Sequence, residues 1–312
     1  MSHSSVQRAL PALGILGLTC ALAGAITGGM LLLVPDAPAV PTATTVVSGG
    51  ASTGRIAGAG PQGRVPQFKV ECGWSHAAAH DPIVFPSDPG ASHQHDFFGN
   101  VATDANSTAE SLRGGATTCE NKLDTAAYWS PALRRGDTLI EPSGSVAYYR
   151  PGLNVRPESL VAYPPGLMMV AGNPNATSPQ ALEVAAWHCG ASPIFHAAPP
   201  TCPAAAPLAA RIAFPDCWDG EHTDSDDHRS HVAYSTQGRC PPGRWVPTPQ
   251  LIFEVQYPVT GDPSGLSLTS GDVMAIHADF LNAWDQKALE REVRACLNHN
   301  HICGVVSNRA TG

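Results

Sequence analysis

Short stretches in which apolar and polar side chains alternate recur along the chain and predict β-strands. The clearest is residues 250–257, where Phe253, Val255 and Tyr257 occupy every second position, a period typical of a strand with one buried face. Glycine and proline contribute 30 and 29 residues, so we expect short regular elements and many loops. The segments predicted as strands are residues 68–71, 145–149, 167–171, 181–187, 209–214, 231–234 and 250–257.

One segment near the end of the chain has the period of a helix. Leu289, Val293 and Leu297 lie four residues apart on one face, and Asp285 is a residue type that caps helix N-termini. The pattern predicts a helix over residues 285–298. Together with the strands, this helix favours a single β-rich α+β domain, a disulfide-stapled strand sandwich with a C-terminal helix.

The beginning of the chain differs in composition from the rest. After a short stretch with one arginine, residues 9–34 carry no charged side chain and are about as long as a bilayer core is thick. We predict that residues 1–34 are a signal peptide or an uncleaved signal-anchor that contacts the membrane. Residues 35–65, rich in Pro, Ala, Thr and Gly, are predicted to be a flexible linker. One globular domain at 66–306 and a tail at 307–312 follow.

Eight cysteines within the predicted domain indicate disulfides, because an even number is typical of exported domains. Eight cysteines permit about 105 pairings, and we predict the sequential one. A structural zinc cluster is the alternative, but the chain has no Cys-x-x-Cys pair. The predicted pairs are Cys72–Cys119, Cys189–Cys202, Cys217–Cys240 and Cys296–Cys303.

The charge of the chain bears on its partners. The formal net charge is −8 and only 14% of residues are charged, with no run of Lys and Arg. Capture of a long nucleic acid requires a basic stripe, so this class of partner is disfavoured.

Histidines and carboxylates recur at short spacing in three remote segments, the first of which contains His93 and His95. On an extended segment their spacing points both rings to the same side, where they can form half of the first coordination shell of a metal ion. Asp96 is a candidate acceptor that would orient one of the rings. The alternative is a pair of hydrogen-bonded histidines that support a loop.

The second segment, residues 214–231, holds six acidic residues and three histidines. Asp227 and His228 are candidates for proton transfer, and His231 is a further candidate metal ligand. Clustered carboxylates also suit Ca²⁺ or Mg²⁺, although the spacing is not that of an EF-hand. The alternative is an acidic loop whose Asp and Ser side chains cap turns.

The third segment pairs His277 with Asp279, again two residues apart. Such a pair can supply two metal ligands, or a base and the carboxylate that orients it. Because apolar side chains flank the pair, a buried histidine satisfied by the core is the alternative. We select His277 as a candidate metal ligand and Asp279 as a candidate catalytic residue.

Several uncommon motifs occur in one order along the chain, and together they resemble DUF1996, a domain-of-unknown-function family of secreted actinobacterial and fungal proteins. The resemblance covers roughly residues 70–300 and implies an extracellular or surface-attached domain with disulfides, but no established reaction. In fungi the domain is often joined to modules thought to bind cell-wall carbohydrate. The motifs are Asp81-Pro82-Ile83-Val84, residues 92–100 (SHQHDFFGN), 127–131 (AYWSP), 214–220 (FPDCWDG), 227–234 (DHRSHVAY) and 277–280 (HADF).

Three functions are compatible with these residues. The first is an exported hydrolase in which a divalent ion, Zn, Mn or Ca, acts on a glycan or phosphodiester. The second is a non-catalytic cell-envelope module that binds cell-wall or extracellular polysaccharide through aromatic side chains. The third is a metal-free polysaccharide lyase with a His or Tyr base.

Overall fold

A computed structural model describes residues 65–306 and the backbone of Thr53 and Gly54. The predicted signal or anchor segment, nearly all of the predicted linker and the predicted tail lie outside the described residues. Among the residues that are described, no helix has the length and apolar character needed to cross a membrane.

Two larger β-sheets dominate the architecture. The eight-stranded sheet has the order β1-β11-β10-β12-β16-β8-β2-β19, and the five-stranded sheet has the order β3-β4-β5-β18-β9. Two small three-stranded sheets have the orders β14-β13-β15 and β17-β6-β7. Numbered along the chain, the strands are β1 (Thr53–Gly54), β2 (Gln67–Cys72), β3 (Trp74–Ala78), β4 (His95–Gly99), β5 (Ala127–Pro131), β6 (Leu133–Arg135), β7 (Thr138–Ile140), β8 (Gly144–Arg150), β9 (Met168–Gly172), β10 (Ala185–Cys189), β11 (Phe195–His196), β12 (Leu208–Ala213), β13 (Cys217–Trp218), β14 (Val232–Ala233), β15 (Val246–Pro247), β16 (Gln250–Gln256), β17 (Leu266–Leu268), β18 (His277–Leu281) and β19 (Ile302–Val305).

The two larger sheets pack face to face through a core of large aromatic side chains. Phe253 on β16 lies 5.5 Å, centroid to centroid, from both Phe98 on β4 and Tyr128 on β5. All three side chains are fully buried. This packing, with a C-terminal helix, confirms the predicted β-rich sandwich.

A second, smaller apolar cluster lies on the other face of the five-stranded sheet. Phe97, Trp129, Val170 and Leu281 form it with the short helix α1 (Ala109–Leu112). Because successive side chains of a strand point to opposite faces, β4, β5, β9 and β18 are buried on both sides. We refer to the face with this second cluster as the outer face.

The strands with alternating patterns are found where they were predicted. The segment predicted at 250–257 is β16, and those predicted at 68–71 and 145–149 are β2 and β8. The prediction for 181–187 begins too early, since the strand is Ala185–Cys189 and a turn precedes it. The segment at 231–234 forms only the two-residue strand β14.

Four disulfides brace the described residues, and all four predicted pairs are confirmed. Cys72–Cys119 joins β2 to the loop before β5, and Cys217–Cys240 closes a loop of the acidic segment. Disulfide bonds of this density are typical of proteins that mature outside the cytoplasm. The other two pairs are Cys189–Cys202 and Cys296–Cys303.

The predicted C-terminal helix is present as α2 (Gln286–Glu292), followed by a π-helical turn at Val293–Asn298. Asp285 caps it, since its carboxylate accepts a hydrogen bond from the Ala288 amide at 2.8 Å. Short 3₁₀ turns lie at Pro157–Ser159 and Val273–Ala275.

Removing this cap should destabilise the domain modestly. We expect Asp285→Ala to lower the free energy of unfolding by about 1 kcal/mol, because an amide of the first turn loses its acceptor. Asp285→Asn retains an acceptor oxygen and should stay within about 0.5 kcal/mol of the parent. Urea unfolding monitored by circular dichroism measures both, and equal losses in the two variants would contradict the capping role.

A buried polar network lies between the two larger sheets. The Tyr128 hydroxyl donates to Asp124 Oδ2 at 2.8 Å, and the Tyr128 and Tyr149 hydroxyls are 2.5 Å apart. The Trp284 indole N–H donates to the Tyr149 hydroxyl at 3.1 Å. Burial raises the pKa of Asp124 to about 8, so this carboxyl is protonated in the folded protein at neutral pH.

Candidate metal centre

Two strands of the five-stranded sheet begin with a histidine. His95 starts β4 and His277 starts β18. His95 shares its face with Phe97, and His277 shares its face with Leu281, so both rings lie on the outer face. His93, two residues before β4, is half-buried and approaches both rings.

The three imidazoles form one cluster. The ring centroids of His93 and His95 are 4.2 Å apart, those of His93 and His277 5.1 Å, and those of His95 and His277 5.9 Å. One candidate ligand nitrogen from each ring lies within 4.8 Å of the others. The structure thus brings together three of the four predicted metal ligands.

Backbone carbonyls fix the tautomers of two of these rings. His95 Nδ1 lies 2.9 Å from the carbonyl oxygen of His80, and His277 Nδ1 lies 2.8 Å from that of Ala275. A carbonyl only accepts, so Nδ1 carries the proton in both rings and Nε2 keeps its lone pair. Metal-binding histidines are held in this way. The buried Nε2 atoms of His93 and His95 have no hydrogen-bond partner among the described residues.

Two carboxylates lie beside the imidazoles. Asp279 is on the same face of β18 as His277, is 1% exposed, and neither of its oxygens has a hydrogen-bond partner within the described part of the chain. Asp81 lies in the loop before β4, and its Oδ1 accepts hydrogen bonds from the Ile83 and Val84 amides, each at 3.0 Å. Ligand atoms of Asp81, His95 and Asp279 also lie within 4.8 Å of one another. The three imidazoles and the two carboxylates thus form two overlapping groups that share His95.

Burial sets the protonation states of the cluster. Desolvation lowers the pKa of His277 to about 3, and it lowers the pKa values of His93 and His95 as well. All three rings are thus neutral at neutral pH, which is the form that binds metals. Burial raises the pKa of Asp279 well above its ordinary value, and the neighbouring Asp81 raises it further. A buried carboxyl without a partner takes up either a proton or a cation.

A glycine allows the edge strand to approach His277 closely. Gly172 ends β9 opposite His277 and has a φ of +82°. A side chain at this position would come within 2.7 Å of the Ile276 carbonyl oxygen and 2.9 Å of the His277 Cα. Glycine is therefore required here on both conformational and steric grounds.

The loop 223–231 provides polar groups near the cluster. His228 Nδ1 lies 3.0 Å from both carboxylate oxygens of Asp224. Burial raises the pKa of Asp81, and the hydrogen bonds from the Val84 and Ile83 amides oppose this effect. The Arg229 guanidinium donates to the carbonyl oxygens of Val170 and Gly172 at 3.2 and 2.9 Å, which fastens the loop to β9.

Asp227 organises the turn that carries these groups. Its Oδ1 accepts from the Arg229 and Ser230 amides at 3.0 and 2.7 Å and from the Ser225 hydroxyl at 2.9 Å, and Oδ2 accepts from the Ser230 hydroxyl. These bonds lower the pKa of the exposed Asp227 carboxyl. The turn places His228 at a φ of +56°.

Asp227 and His228 lie in the neighbouring loop and not in the cluster, and two further residues selected from the sequence, His231 and Asp96, also lie outside it. Both ring nitrogens of His231 are engaged, Nδ1 with the Ser225 hydroxyl at 2.9 Å and Nε2 with the Met168 carbonyl oxygen at 2.7 Å. Asp96 lies on the opposite face of β4 from His95, where it accepts from the Trp74 indole at 2.9 Å. The acceptor that orients His95 is the carbonyl of His80 instead.

Sequence reasoning missed two residues of the site. Asp81 was noticed only as part of a motif, and Asp224 only as one of several acids in the loop. The signal for Asp224 was the spacing of four residues to His228, which brings the two side chains together in a turn. No local spacing connects Asp81 with the histidines, because 14 positions separate it from His95.

The fold and the cluster together define a class, a disulfide-braced β-sandwich domain with a buried histidine–carboxylate centre on the outer face of its smaller sheet. The family model of DUF1996, described as a domain of unknown function, matches residues 81–284. This match covers most of the chain, so the chain belongs to that family, as the sequence motifs indicated. Neither the curated proteins nor the solved structures contain a significant match.

Proposed function

We propose that the domain is a metal-dependent hydrolase whose divalent ion is held by His93, His95, His277 and Asp279. The observation that carries the proposal is the cluster of three imidazoles, beside which the buried Asp279 carboxyl has no hydrogen-bond partner among the described residues. Nitrogen-rich donor sets of this kind suit Zn²⁺ or Mn²⁺ better than Ca²⁺, which prefers oxygen ligands. A cation at this position would also compensate the negative charge of Asp279.

The ion would supply electrophilic chemistry, since a bound divalent metal polarises ester oxygens and lowers the pKa of a coordinated water. Two amides already hold Oδ1 of Asp81. Its other carboxylate oxygen would serve as a fifth ligand or accept a hydrogen bond from a water molecule. The half-buried ring of His93 is the least enclosed of the three imidazoles, so we expect a substrate to approach from its side.

We assign the proton transfer to His228. Asp224 keeps its Nδ1 protonated, which leaves Nε2 as the basic nitrogen, in the arrangement of a base and its orienting carboxylate. Asp227 is a positioning residue in this scheme, because both of its oxygens are occupied within the turn. Burial raises the pKa of Asp279, and the positive charge of Arg229 acts in the other direction by lowering it.

The proposed location is outside the cytoplasm or at the cell surface. Four disulfides support it, and residues 1–34 are the proposed export signal or anchor. Substrates at that location would be an extracellular or cell-wall polysaccharide, or a phosphodiester.

Removing the metal tests the proposal. We expect one ion per domain in purified protein, and a chelator should lower hydrolysis of the substrate at least about a hundredfold, with recovery on adding Zn²⁺ or Mn²⁺. The ion binds only the folded chain, so at a hundred times its Kd it should add about 2.7 kcal/mol to the free energy of unfolding. Elemental analysis, thermal unfolding and a product assay measure the three effects.

The outcomes separate the alternatives. Activity that survives the chelator would instead indicate the metal-free lyase, and it would generate unsaturated products. Glycan binding without turnover would indicate the non-catalytic module. A protein that binds no divalent ion and gains no stability from one would remove the basis of the hydrolase proposal.

A further inference from the structure

A groove of about 430 Å³ crosses the edge of the five-stranded sheet at β3. The strand supplies Trp74 and His76 to its lining, and Val101, Thr103 and Asp104 also line it. Trp74 is half-buried, and its indole N–H is held by Asp96 at 2.9 Å, so the orientation of the ring is fixed. The groove thus combines an oriented aromatic ring with polar side chains.

Hydrogen bonds and a disulfide hold the segments that line the groove in place before any ligand binds. His76 Nε2 donates to the Thr103 carbonyl oxygen at 3.0 Å, which connects β3 to the segment 101–104. At one end, Thr118 donates through its hydroxyl to the Gly73 carbonyl oxygen at 2.6 Å. The adjacent Cys72–Cys119 disulfide fixes the same two segments. Little conformational freedom would be lost when a ligand binds to such a surface.

The groove adjoins the metal centre through two direct connections. His80 lines the groove with its side chain, while its carbonyl oxygen accepts the His95 Nδ1 proton at 2.9 Å. The His76 ring stacks on Phe97 at 4.8 Å, and Phe97 contacts the His95 ring at 6.2 Å. These contacts place the groove one layer of residues away from the proposed reaction centre.

The charge of the lining distinguishes between the two substrate classes. No lysine or arginine lines the groove, and its one carboxylate belongs to Asp104. A phosphodiester or an acidic polymer would meet no compensating cation here and would be repelled by Asp104. An uncharged sugar offers an apolar ring face to Trp74 and hydroxyl groups to polar residues of the lining such as Ser75 and Asp104.

We infer that this groove binds an uncharged segment of an oligosaccharide next to the metal centre. The inference rests on the proposed hydrolase function and selects a neutral glycan as its substrate class.

Binding measurements on the intact domain test the inference. Cellopentaose, mannopentaose and chitopentaose are the neutral probes, and pentagalacturonate and a five-nucleotide single-stranded DNA are the charged ones. Each is titrated by calorimetry and by NMR of the tryptophan indole and histidine ring signals, with the protein metal-free and zinc-loaded. We expect at least one neutral probe to bind and to shift the Trp74 and His76 signals, with charged probes at least about tenfold weaker.

Matched variants locate the binding. Trp74→Ala should weaken binding of the neutral probe at least about tenfold, whereas Trp245→Ala, which alters a 65% exposed tryptophan outside the groove lining, should leave it unchanged. Val101→Arg fills the groove from a 45% exposed position and should have the same effect without disturbing the core. Val161→Arg, at a 50% exposed site outside the lining, is its control.

The results distinguish the groove from the metal proposal. Zinc affinity should be the same in Trp74→Ala and the parent, because the groove ring is not a ligand. Neutral probes that bind a domain unable to hold zinc would support the groove and reject the hydrolase. Failure of all three neutral probes to bind, preference for a charged probe, or equal affinity in Val101→Arg and Val161→Arg would overturn the inference.

Discussion

Replacing His277 with alanine is expected to abolish tight metal binding and to reduce hydrolysis at least about a hundredfold. The ring is one of three neutral imidazoles in the cluster, and its Nε2 is left unprotonated by the hydrogen bond from Nδ1 to the Ala275 carbonyl. Loss of residues that only orient a metal ligand already costs 10–100-fold in affinity or activity, so loss of a ligand should cost at least the upper end of that range.

The control for this variant is His188→Ala. Both histidines are 3% exposed and lie in β-strands, so either truncation should leave a similar cavity and reduce stability to a similar degree. Zinc titration by calorimetry, with the fold checked by circular dichroism, compares the two. A His277→Ala protein that keeps the zinc affinity of His188→Ala would show that the cluster is structural.

Replacing Asp124 with asparagine should remove a large part of the pH dependence of stability. Burial raises the pKa of Asp124 to about 8, against about 4 in an unfolded chain. Between these values the folded state holds a proton that the unfolded state lacks, so this stability is complete below pH 4 and is lost as the pH rises toward 8. The slope approaches 1.4 kcal/mol per pH unit, which accumulates to about 5 kcal/mol across the window.

Asparagine cannot ionise, and its side-chain amide can still form a hydrogen bond with the Tyr128 hydroxyl. Asp124→Asn should therefore gain stability relative to the parent as the pH rises from 5 to 8.5. Urea unfolding with the disulfides intact measures this, and the exposed Asp262→Asn serves as control. Parallel stability curves for parent and Asp124→Asn would show that the carboxyl does not carry the effect.

The alternation of apolar and polar residues was sufficient to predict the strands that have one apolar face. In β16, Phe253 and Val255 point into the core while Glu254 and Gln256 point away, so the period of two is visible. The same reasoning predicted β2 and β8. These strands belong to the eight-stranded sheet, whose other face carries polar side chains.

The strands that hold the site could not be found in this way. Strands β4, β5 and β18 are buried on both faces, and their sequences HDFFG, AYWSP and HADFL show no alternation. They also contain polar residues, which periodicity assigns to solvent. The histidine spacing therefore indicated the chemistry of His95 and His277, but only the pairing of β5 with both strands brings these two residues together.

His231 shows that spacing alone does not identify a metal ligand. The spacing to His228 suggested two related groups, yet the His231 ring turns inward and bonds the Met168 carbonyl. The sequence does not show which backbone carbonyls a histidine will contact. Here those contacts determine which rings have a nitrogen available for a metal ion. The same applies to Asp81, whose position depends on the course of the loop before β4.

The Cys217–Cys240 bond has a consequence for where the protein can be active. It closes the loop that carries Asp224 and His228, and a bridge across 23 residues stabilises a folded chain by about 3 kcal/mol. In a reducing cytosol this constraint would be missing, and the turn that carries His228, the proposed base, would be less firmly held. Under the proposed hydrolase function, newly made chains would be inactive during synthesis and would mature on oxidation. Recombinant production would then require oxidative refolding or periplasmic expression.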